Sequence, residues 1–155
     1  MIIWITGQPA SGKSTLAKKL TECFVDKSCR IIDGDIFRNQ TSNNDYSEKG
    51  RRLNVERIMI FALEEERYYD YVIVAAVSPF KDQRDWIKTK TNVKEIYLTS
   101  SRQREGRMVD YYSQPTDNYL HIDTDTHTVV ETQIKSLTYI LTPCLKQLQQ
   151  WIKTV

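Results

Sequence analysis

The feature that most constrains this chain is a glycine-rich segment near its beginning, which reads GQPASGKS over residues 7–14. It fits the pattern G-x-x-x-x-G-K-[ST] at every specified position. A β-branched run precedes it and good helix formers follow it, so a loop between a strand and a helix is predicted. Glycines at both ends let the backbone turn its N–H groups towards a phosphate, and the helix start adds its positive dipole end. The residues predicted to bind a nucleotide triphosphate here are Gly7, Gln8, Pro9, Ala10, Ser11, Gly12, Lys13, Ser14 and Thr15.

Two side chains of this loop predict the cofactors. In loops of this type the lysine, here Lys13, contacts the β- and γ-phosphates of ATP, and the hydroxyl, here Ser14, binds Mg²⁺. A chance Gly/Ser-rich turn is the alternative, and the flanking strand and helix speak against it. The chain lacks an N-K-x-D guanine-binding segment, and its 155 residues are few for a motor. The sequence therefore favours a kinase over a GTPase or an ATPase motor.

The order of the apolar runs predicts the fold class. Short strand-like runs alternate with helical patterns, which is typical of a parallel sheet with right-handed crossovers. We expect a single-domain, three-layer α/β fold over residues 1–155, with a mostly parallel central sheet flanked by helices. Strands are predicted at 2–6, 30–32, 71–77, 93–98 and 119–122, and helices at 13–24, 51–69, 81–90, near 101–107, at 128–140 after a capping box, and at 143–155 beyond Pro143. A lid is predicted at about 102–118.

Composition limits the partners. A net charge of +2 is too small to favour a nucleic acid partner, and no apolar run reaches the ~20 residues needed to cross a membrane. Three cysteines without a paired spacing predict free thiols in the cytoplasm. The partner expected is a small nucleotide substrate. The apolar residues of the last predicted helix, Leu145, Leu148, Trp151 and Ile152, are expected to pack within the chain or, as an alternative, in a homodimer.

Two carboxylates come directly after the second predicted strand, in the sequence Asp33-Gly34-Asp35. Carboxyl ends of parallel strands meet at one edge of the sheet, where ligands bind. A pair of carboxylates there can serve Mg²⁺ and accept a proton from an attacking hydroxyl. An Asx-type turn is the structural alternative. The expected position opposite the phosphate loop favours the catalytic interpretation.

Four ordered motifs resemble a known family. They are the glycine-rich loop, D-G-D-I-F-R at 33–38, Y-S with R, N and R at 46–57, and S-P-F-K-x-x-R-D at 78–85. Together they resemble the adenylylsulfate (APS) kinases, which phosphorylate the 3′-hydroxyl of adenosine 5′-phosphosulfate. The resemblance covers residues 1–100 well and residues 124–134 more weakly.

The resemblance implies roles for residues that match these motifs. Asp35 is expected as the general base or the carboxylate beside magnesium, with Asp33 supporting it. Ser78 is expected to contact the substrate rather than form a phosphoserine. The further residues implied to hold the acceptor are Arg38, Tyr46, Arg51, Asn54, Pro79, Phe80 and Lys81. The alternative for each cation is a solvated surface position.

The last third departs from the family. Residues 102–115 form a shorter lid region than the family has, and the family's F-T-G-I-D segment is absent. Arg102, Arg104 and Arg107 are expected to act as lid or adenine-side cations that contact ATP, or else to lie on a solvated helix. This departure keeps open a kinase for another nucleotide-like hydroxyl, including an oligonucleotide end. A non-enzymatic ATP-binding module is the remaining alternative, and the intact Lys13, Ser14 and Asp35 speak against it.

Overall fold

The computed structural model describes residues 1–102 and 108–152, and side chains are described up to residue 142. The elements in chain order are β1 Ile2–Thr6, α1 Lys13–Cys23, β2 Cys29–Asp33, α2 Gly34–Gln40, α3 Glu48–Glu65, β3 Tyr71–Ala75, α4 Lys81–Lys88, β4 Val93–Thr99, β5 Tyr119–Asp123 and α5 Val129–Ile152. The five strands form one sheet in the order β2-β3-β1-β4-β5.

All four strand pairs are parallel, so every strand ends at the same edge of the sheet. The central strand β1 is buried along its whole length, which explains its continuous apolar sequence. Because β1 lies between β3 and β4, the loop that follows it sits in the middle of the carboxyl edge. Ligands bind at that edge in open α/β sheets.

Alternate residues of the strands build two separate cores. Ile3 and Ile5 of β1 pack with apolar residues of α1 and α5 on one face, including Leu16 and Ile140. The neighbouring residues of β1 pack with α3 and α4 on the other face, with Ile58 at the centre. A strand whose successive side chains point to opposite faces needs cover on both sides. The predicted three-layer α/β fold with a parallel sheet is confirmed.

The long helix α3 follows its predicted apolar pattern. Val55, Ile58, Met59 and Ala62 are buried, as the i, i+3, i+4, i+7 spacing predicts. Its beginning lies earlier than the predicted residue 51, because the Ser47 hydroxyl caps the helix by accepting the N–H of Gly50 at 3.2 Å.

Three helix predictions need correction. Residues 34–40 form the short helix α2, whereas the sequence suggested only a turn at Asp33–Asp35. Helix α5 runs through Pro143 without a break. A proline removes one N–H and strains one turn, and the bonds of the flanking turns can outweigh that cost. Ser101 and Arg102 are not helical, and the rest of the helix predicted near 101–107 lies outside the described residues.

The capping box at the start of α5 is confirmed. The N–H of Glu131 donates to the Thr128 hydroxyl at 3.2 Å, and the Glu131 carboxylate accepts the N–H of Thr128 at 2.8 Å. Each side chain thereby satisfies a backbone group that the helix itself leaves free. Within the two described stretches of the chain, no helix has both the length and the apolar character that a membrane span requires.

Candidate active site

The glycine-rich loop leaves the end of β1 in a conformation that its glycines allow. Gly7 has φ +146°, and a Cβ at this position would lie 2.2 Å from the carbonyl oxygen of Leu98. Gly12 has φ +93° and forms the N-cap of α1. The first turn of α1 has neither a side-chain cap nor an acidic residue. The backbone N–H groups at this helix start are therefore available to an anion.

Lys13 lies at the base of the loop. Its Nζ donates to the carbonyl oxygen of Gln8 at 2.6 Å and to the Ser11 hydroxyl at 3.4 Å. Burial lowers the pKa of Lys13 from 10.5 to about 8, although the carboxylates of Asp35 and Asp33 oppose this change. One carbonyl oxygen, one hydroxyl and a nearby acidic pair hold a cation that a phosphate can bind.

Asp33 joins the phosphate loop to α2. One carboxylate oxygen accepts the Ser14 hydroxyl at 2.6 Å, and the other accepts the N–H of Asp35 at 3.0 Å and of Ile36 at 3.3 Å. Asp33 is thus the N-cap of α2, which starts the helix directly after β2. This cap places Asp35 in the first turn of α2. Asp33 and Asp35 line one cavity together with residues of the phosphate loop.

A cavity of about 570 Å³ extends from the phosphate loop along the carboxyl edge of the sheet. It brings together fourteen of the predicted site residues: Pro9, Ala10, Gly12, Lys13, Ser14, Thr15, Asp33, Asp35, Arg38, Tyr46, Arg51, Asn54, Ser78 and Pro79. Arg102, which the sequence suggested as a lid cation, also lines it. The size suits a small-molecule site.

The end of the cavity away from the phosphate loop is rich in arginine. The guanidinium carbons of Arg38 and Arg51 lie 4.5 Å and 5.4 Å from the centre of the Tyr46 ring. Arg38 donates to the carbonyl oxygen of Asp45 at 2.7 Å, and burial lowers its pKa. Arg51 donates to the carbonyl oxygen of Tyr46 at 3.1 Å. These contacts hold two cations and one aromatic ring beside the cavity, which suits an anionic group attached to a flat ring.

Two buried polar atoms in the cavity wall have no hydrogen-bond partner in the described part of the chain, Asn54 Oδ1 and Ser78 Oγ. Ser78 also has φ +44°, in the left-handed region that non-glycine residues rarely adopt. Buried polar groups are normally satisfied, so two unpaired side-chain atoms on residues that line one cavity mark this wall as a candidate binding surface. Backbone strain at the same residue fits a functional position.

Several predicted residues do not line the cavity. Gly7, Gln8 and Ser11 belong to the phosphate loop but are not part of the cavity lining. Gln8 bonds to Val109, and Ser11 accepts a hydrogen bond from Lys13. Phe80 is buried and stacks on Tyr111 at 5.6 Å between ring centres, whereas the sequence placed it on the substrate. Lys81 is paired with Asp85 one helical turn along α4 and is not among the residues that line the cavity. Arg104 and Arg107 lie outside the described residues.

Residues 108–113, which belong to the lid predicted at about 102–118, dock against the loops of the site. The Gln8 side chain makes two hydrogen bonds with the backbone of Val109. Its Nε2 donates to the carbonyl oxygen at 2.8 Å, and its Oε1 accepts the N–H at 3.1 Å. The Tyr112 hydroxyl lies 2.7 Å from the Thr6 hydroxyl, at the end of β1. The sequence signal for these contacts was the adjacent pair Tyr111 and Tyr112, and residue spacing alone could not show what these side chains contact.

The parallel sheet, the phosphate loop at the end of β1 and the acidic pair at the end of β2 define a P-loop kinase fold. A sequence model of the adenylylsulphate kinase family matches residues 1–122, further along the chain than the motifs alone indicated. The chain belongs to the adenylylsulphate kinase family.

Individual relatives agree with this assignment. An adenylyl-sulfate kinase of Gloeothece citriformis is 36% identical over 93 residues, which cover 57% of this chain and 52% of the relative. The chain spans about half the length of the curated relatives it matches first. The Mycobacterium tuberculosis APS kinase, solved with AMPPNP and APS, superposes with a TM-score of 0.75 at 19% identity, covering 90% of this chain and 96% of that one. A hexameric APS kinase from Thiobacillus denitrificans gives 0.74 at 25% identity, covering 92% and 29%.

Proposed function

We propose that this chain transfers the γ-phosphate of ATP to the 3′-hydroxyl of adenosine 5′-phosphosulfate. The observation that carries the proposal is the cavity itself, which joins a phosphate loop at one end to an arginine and tyrosine cluster at the other. One cavity with both features can hold a donor and an acceptor nucleotide end to end. Membership of the adenylylsulphate kinase family supports this choice of acceptor.

The donor end is formed by the phosphate loop. The backbone N–H groups at the start of α1 bind the β- and γ-phosphates, and Lys13 moves from its carbonyl partner to a phosphate oxygen. The acceptor oxygen then attacks the γ-phosphorus while the bond to the bridging oxygen of ADP breaks. Asp35, at the cavity rim, takes the proton that the hydroxyl loses. Lys13 neutralises charge that builds up on the transferring group.

The acceptor end uses the residues that the cavity wall supplies. Arg38 and Arg51 offer guanidinium groups to the phosphosulfate, and Tyr46 offers its ring to the adenine. Asn54 Oδ1 and Ser78 Oγ are unpaired atoms that a ribose hydroxyl or an adenine amine can satisfy. These roles are contacts of binding and orientation, with no covalent step at Ser78.

The residues present fit Mg²⁺. Mg²⁺ takes oxygen ligands, usually one or two from the protein together with phosphate oxygens. The Ser14 hydroxyl lies 2.6 Å from an Asp33 carboxylate oxygen, and Asp35 lines the same part of the cavity. No cluster of three or more acidic, His or Cys ligands occurs among residues 1–102 and 108–142, so the ion depends on the nucleotide for most of its ligands. When bound, it would neutralise phosphate charge; Ser14, Asp33 and Asp35 would hold it.

A coupled assay with ATP, Mg²⁺ and adenosine 5′-phosphosulfate tests the proposal. Lys13→Ala should lower kcat/KM roughly 100-fold or more, because the transferring group loses a fixed positive charge. Lys18→Ala is the matched control, since Lys18 lies on the same helix but is exposed. Wild-type activity no greater than that of Lys13→Ala would reject the proposal.

The short lid region favours testing other acceptors in parallel. The panel contains CDP, UDP, deoxynucleoside monophosphates and oligonucleotides with a free 5′-hydroxyl. Transfer to one of these with a kcat/KM above that for adenosine 5′-phosphosulfate would reassign the acceptor and keep the kinase. ATP-analogue binding without transfer to any acceptor would indicate a binding module.

Self-association and location are separate proposals. The hexameric relative supports a test for a homodimer by sedimentation velocity, in which a monomer at high concentration would contradict it. Cys23 and Cys29 are free thiols, which supports a reducing compartment such as the cytoplasm.

A further inference from the structure

The side chain of Arg84 is fully buried and uses its guanidinium on three different parts of the fold. Its Nε donates to the Glu95 carboxylate at 2.8 Å. One terminal nitrogen donates to the carbonyl oxygen of Ser78 and the other to that of Ser113, each at 2.5 Å. Arg84 is 1% exposed, so no water competes for these contacts. The guanidinium of arginine is planar and rigid, so its three nitrogens can donate to three acceptors in fixed directions.

The two carbonyl groups belong to chain segments that meet at the wall of the cavity. Ser78 is the strained residue that lines the cavity, and its buried hydroxyl has no hydrogen-bond partner among the described residues. Ser113 closes the segment 108–113 and donates its own N–H to the carbonyl oxygen of Pro79 at 2.9 Å. The Arg84 guanidinium therefore bonds to both segments beside the backbone hydrogen bond that joins them. A change in its position would move the cavity wall.

Charge balance explains how an arginine can lie at this depth. Glu95, on the neighbouring strand β4, is also 0% exposed, and Lys88 of α4 reaches its other carboxylate oxygen. Buried ion pairs contribute little net stability compared with apolar packing of the same shape. What apolar side chains cannot supply is a pair of directed donors to Ser78 and Ser113. The geometry thus serves orientation rather than stability.

We propose that Arg84 is a positioning residue for the acceptor: by holding the carbonyl groups of Ser78 and Ser113, it sets the cavity wall at Ser78–Pro79. The inference rests on the proposed function, because the wall it sets belongs to the acceptor end. Arg84 is not among the residues that line the cavity. Its effect reaches the acceptor through Ser78.

Steady-state kinetics of Arg84→Lys separates this role from a structural one. A lysine keeps the charge but carries its donors on a single flexible ammonium nitrogen, so it loses the two separately directed nitrogens that bond the two carbonyl groups. The KM for the acceptor should rise about tenfold or more, because a small displacement of a positioning wall costs binding geometry. The KM for ATP should rise by a smaller factor, since Arg84 bears on the phosphate loop only indirectly, through the contacts of segment 108–113 with Gln8 and Thr6. Ile87→Val, a core change on the same helix, is the control that lowers stability without this split.

Hydrogen exchange at the Ser113 amide gives a readout that needs no activity. Arg84→Lys should speed exchange at this amide, and Ile87→Val should leave its rate relative to neighbouring amides unchanged. If wild-type protein transfers no phosphate, the proposed function fails, and this exchange result still decides whether Arg84 holds the two segments. Unchanged exchange together with an unchanged acceptor KM would overturn the inference.

Glu95→Gln covers the case in which Arg84→Lys does not fold. Glutamine keeps an oxygen acceptor for Arg84 Nε but removes the charge that orients it. The acceptor KM and the Ser113 exchange rate should rise in the same direction, by a smaller factor. A Glu95→Gln protein with wild-type values of both quantities would also overturn the inference.

Discussion

Lys13 is a buried cation whose charge depends on what surrounds it. Burial lowers its pKa from 10.5 to about 8, so the folded protein loses this proton earlier than the unfolded chain does. Between pH 8 and pH 10.5 the unfolded chain therefore binds more protons, and the free energy of unfolding rises with pH. Below pH 8 the cost of a buried charge is fully present. A bound phosphate would offset that cost, which links nucleotide affinity to pH.

Affinity for a non-hydrolysable ATP analogue should fall above pH 8. With a pKa of about 8 in the free protein, only about a tenth of Lys13 is protonated at pH 9, so binding should be about tenfold weaker than at pH 7. Isothermal titration calorimetry at the two pH values measures this. Lys13→Arg stays charged throughout and should lose the dependence. An equal fall in Lys13→Arg would place the titrating group elsewhere.

Asp35 and Asp33 are separated by one residue but differ in their contacts. Asp35→Asn should lower kcat about 100-fold or more, because an amide cannot accept the proton of the acceptor hydroxyl. Its dissociation constant for the ATP analogue, measured without Mg²⁺, should stay within about threefold, since Asp35 lies on α2 rather than in the phosphate loop. Rapid-quench kinetics and calorimetry measure the two quantities. An unchanged kcat would remove Asp35 from the role of base.

Asp33 has a structural contact that can be separated from its charge. Asp33→Ala should lower the free energy of unfolding by about 1 kcal/mol, because the N-cap of α2 is lost. Asp33→Asn keeps an oxygen acceptor at the cap and should unfold close to wild type. Urea denaturation compares the two variants. Equal stability of the Ala and Asn variants would show that the cap contributes nothing.

At the scale of elements, the ends of helices fix where the functional residues lie. Helix α1 begins without a side-chain cap at the phosphate loop, and α2 begins with Asp33 as its cap at the opposite rim. Helix α5 begins with the reciprocal pair Thr128 and Glu131, and neither residue lines the cavity. An uncapped helix start is costly unless a ligand uses its N–H groups. The uncapped start of α1 is therefore suited to binding a ligand, whereas the capped starts of α2 and α5 contribute to stability.

Thr128→Ala should destabilise the protein by about 1 kcal/mol without changing kinetics, because it removes the cap of α5. Thr138→Ala is the matched control: its hydroxyl donates to Ile134 one turn back, within the helix, and alanine favours helix at least as well. Thermal unfolding and the coupled assay measure both. A loss of activity at wild-type stability would contradict a purely structural cap.

At the scale of the whole molecule, one cavity spans the carboxyl ends of several strands. Its walls come from the loops after β1, β2 and β3 and from α3. Ligand binding therefore ties together elements that are distant in sequence. Whatever binds the folded form alone adds to its stability by mass action.

The ATP analogue at 100 times its dissociation constant should raise the free energy of unfolding by about 2.7 kcal/mol. For a chain of this size, that corresponds to a rise in Tm of roughly 5–10 °C. Differential scanning calorimetry gives the value directly. Lys13→Ala at the same analogue concentration should show a much smaller rise. Equal shifts in both proteins would mean that the analogue binds outside the phosphate loop.

Much of the site was predictable because its signals are local. The fourteen predicted residues that line the cavity lie in short motifs; most of these follow a strand, whereas Tyr46 lies just before α3 and Arg51 and Asn54 lie in its first half. Phe80 and Lys81 were also in a motif, but their side-chain directions depend on how α4 packs. Phe80 stacks on Tyr111 and Lys81 pairs with Asp85, which no strand-end rule predicts. The continuity of α5 through Pro143 likewise depends on bonds along the whole helix.

The sequence by itself determined the phosphate loop, the alternation of strands and helices, and the family. Eight contiguous residues encode the loop. The apolar strand directly before them places the loop at the carboxyl ends of the strands. Only the tertiary structure decided which distant residues support that edge. Gln8 meets Val109 across 101 positions, and Arg84 meets Ser113 across 29. The physical reason is that hydrogen bonds of this kind are set by packing of whole elements, whereas loop conformation follows from the residues within it.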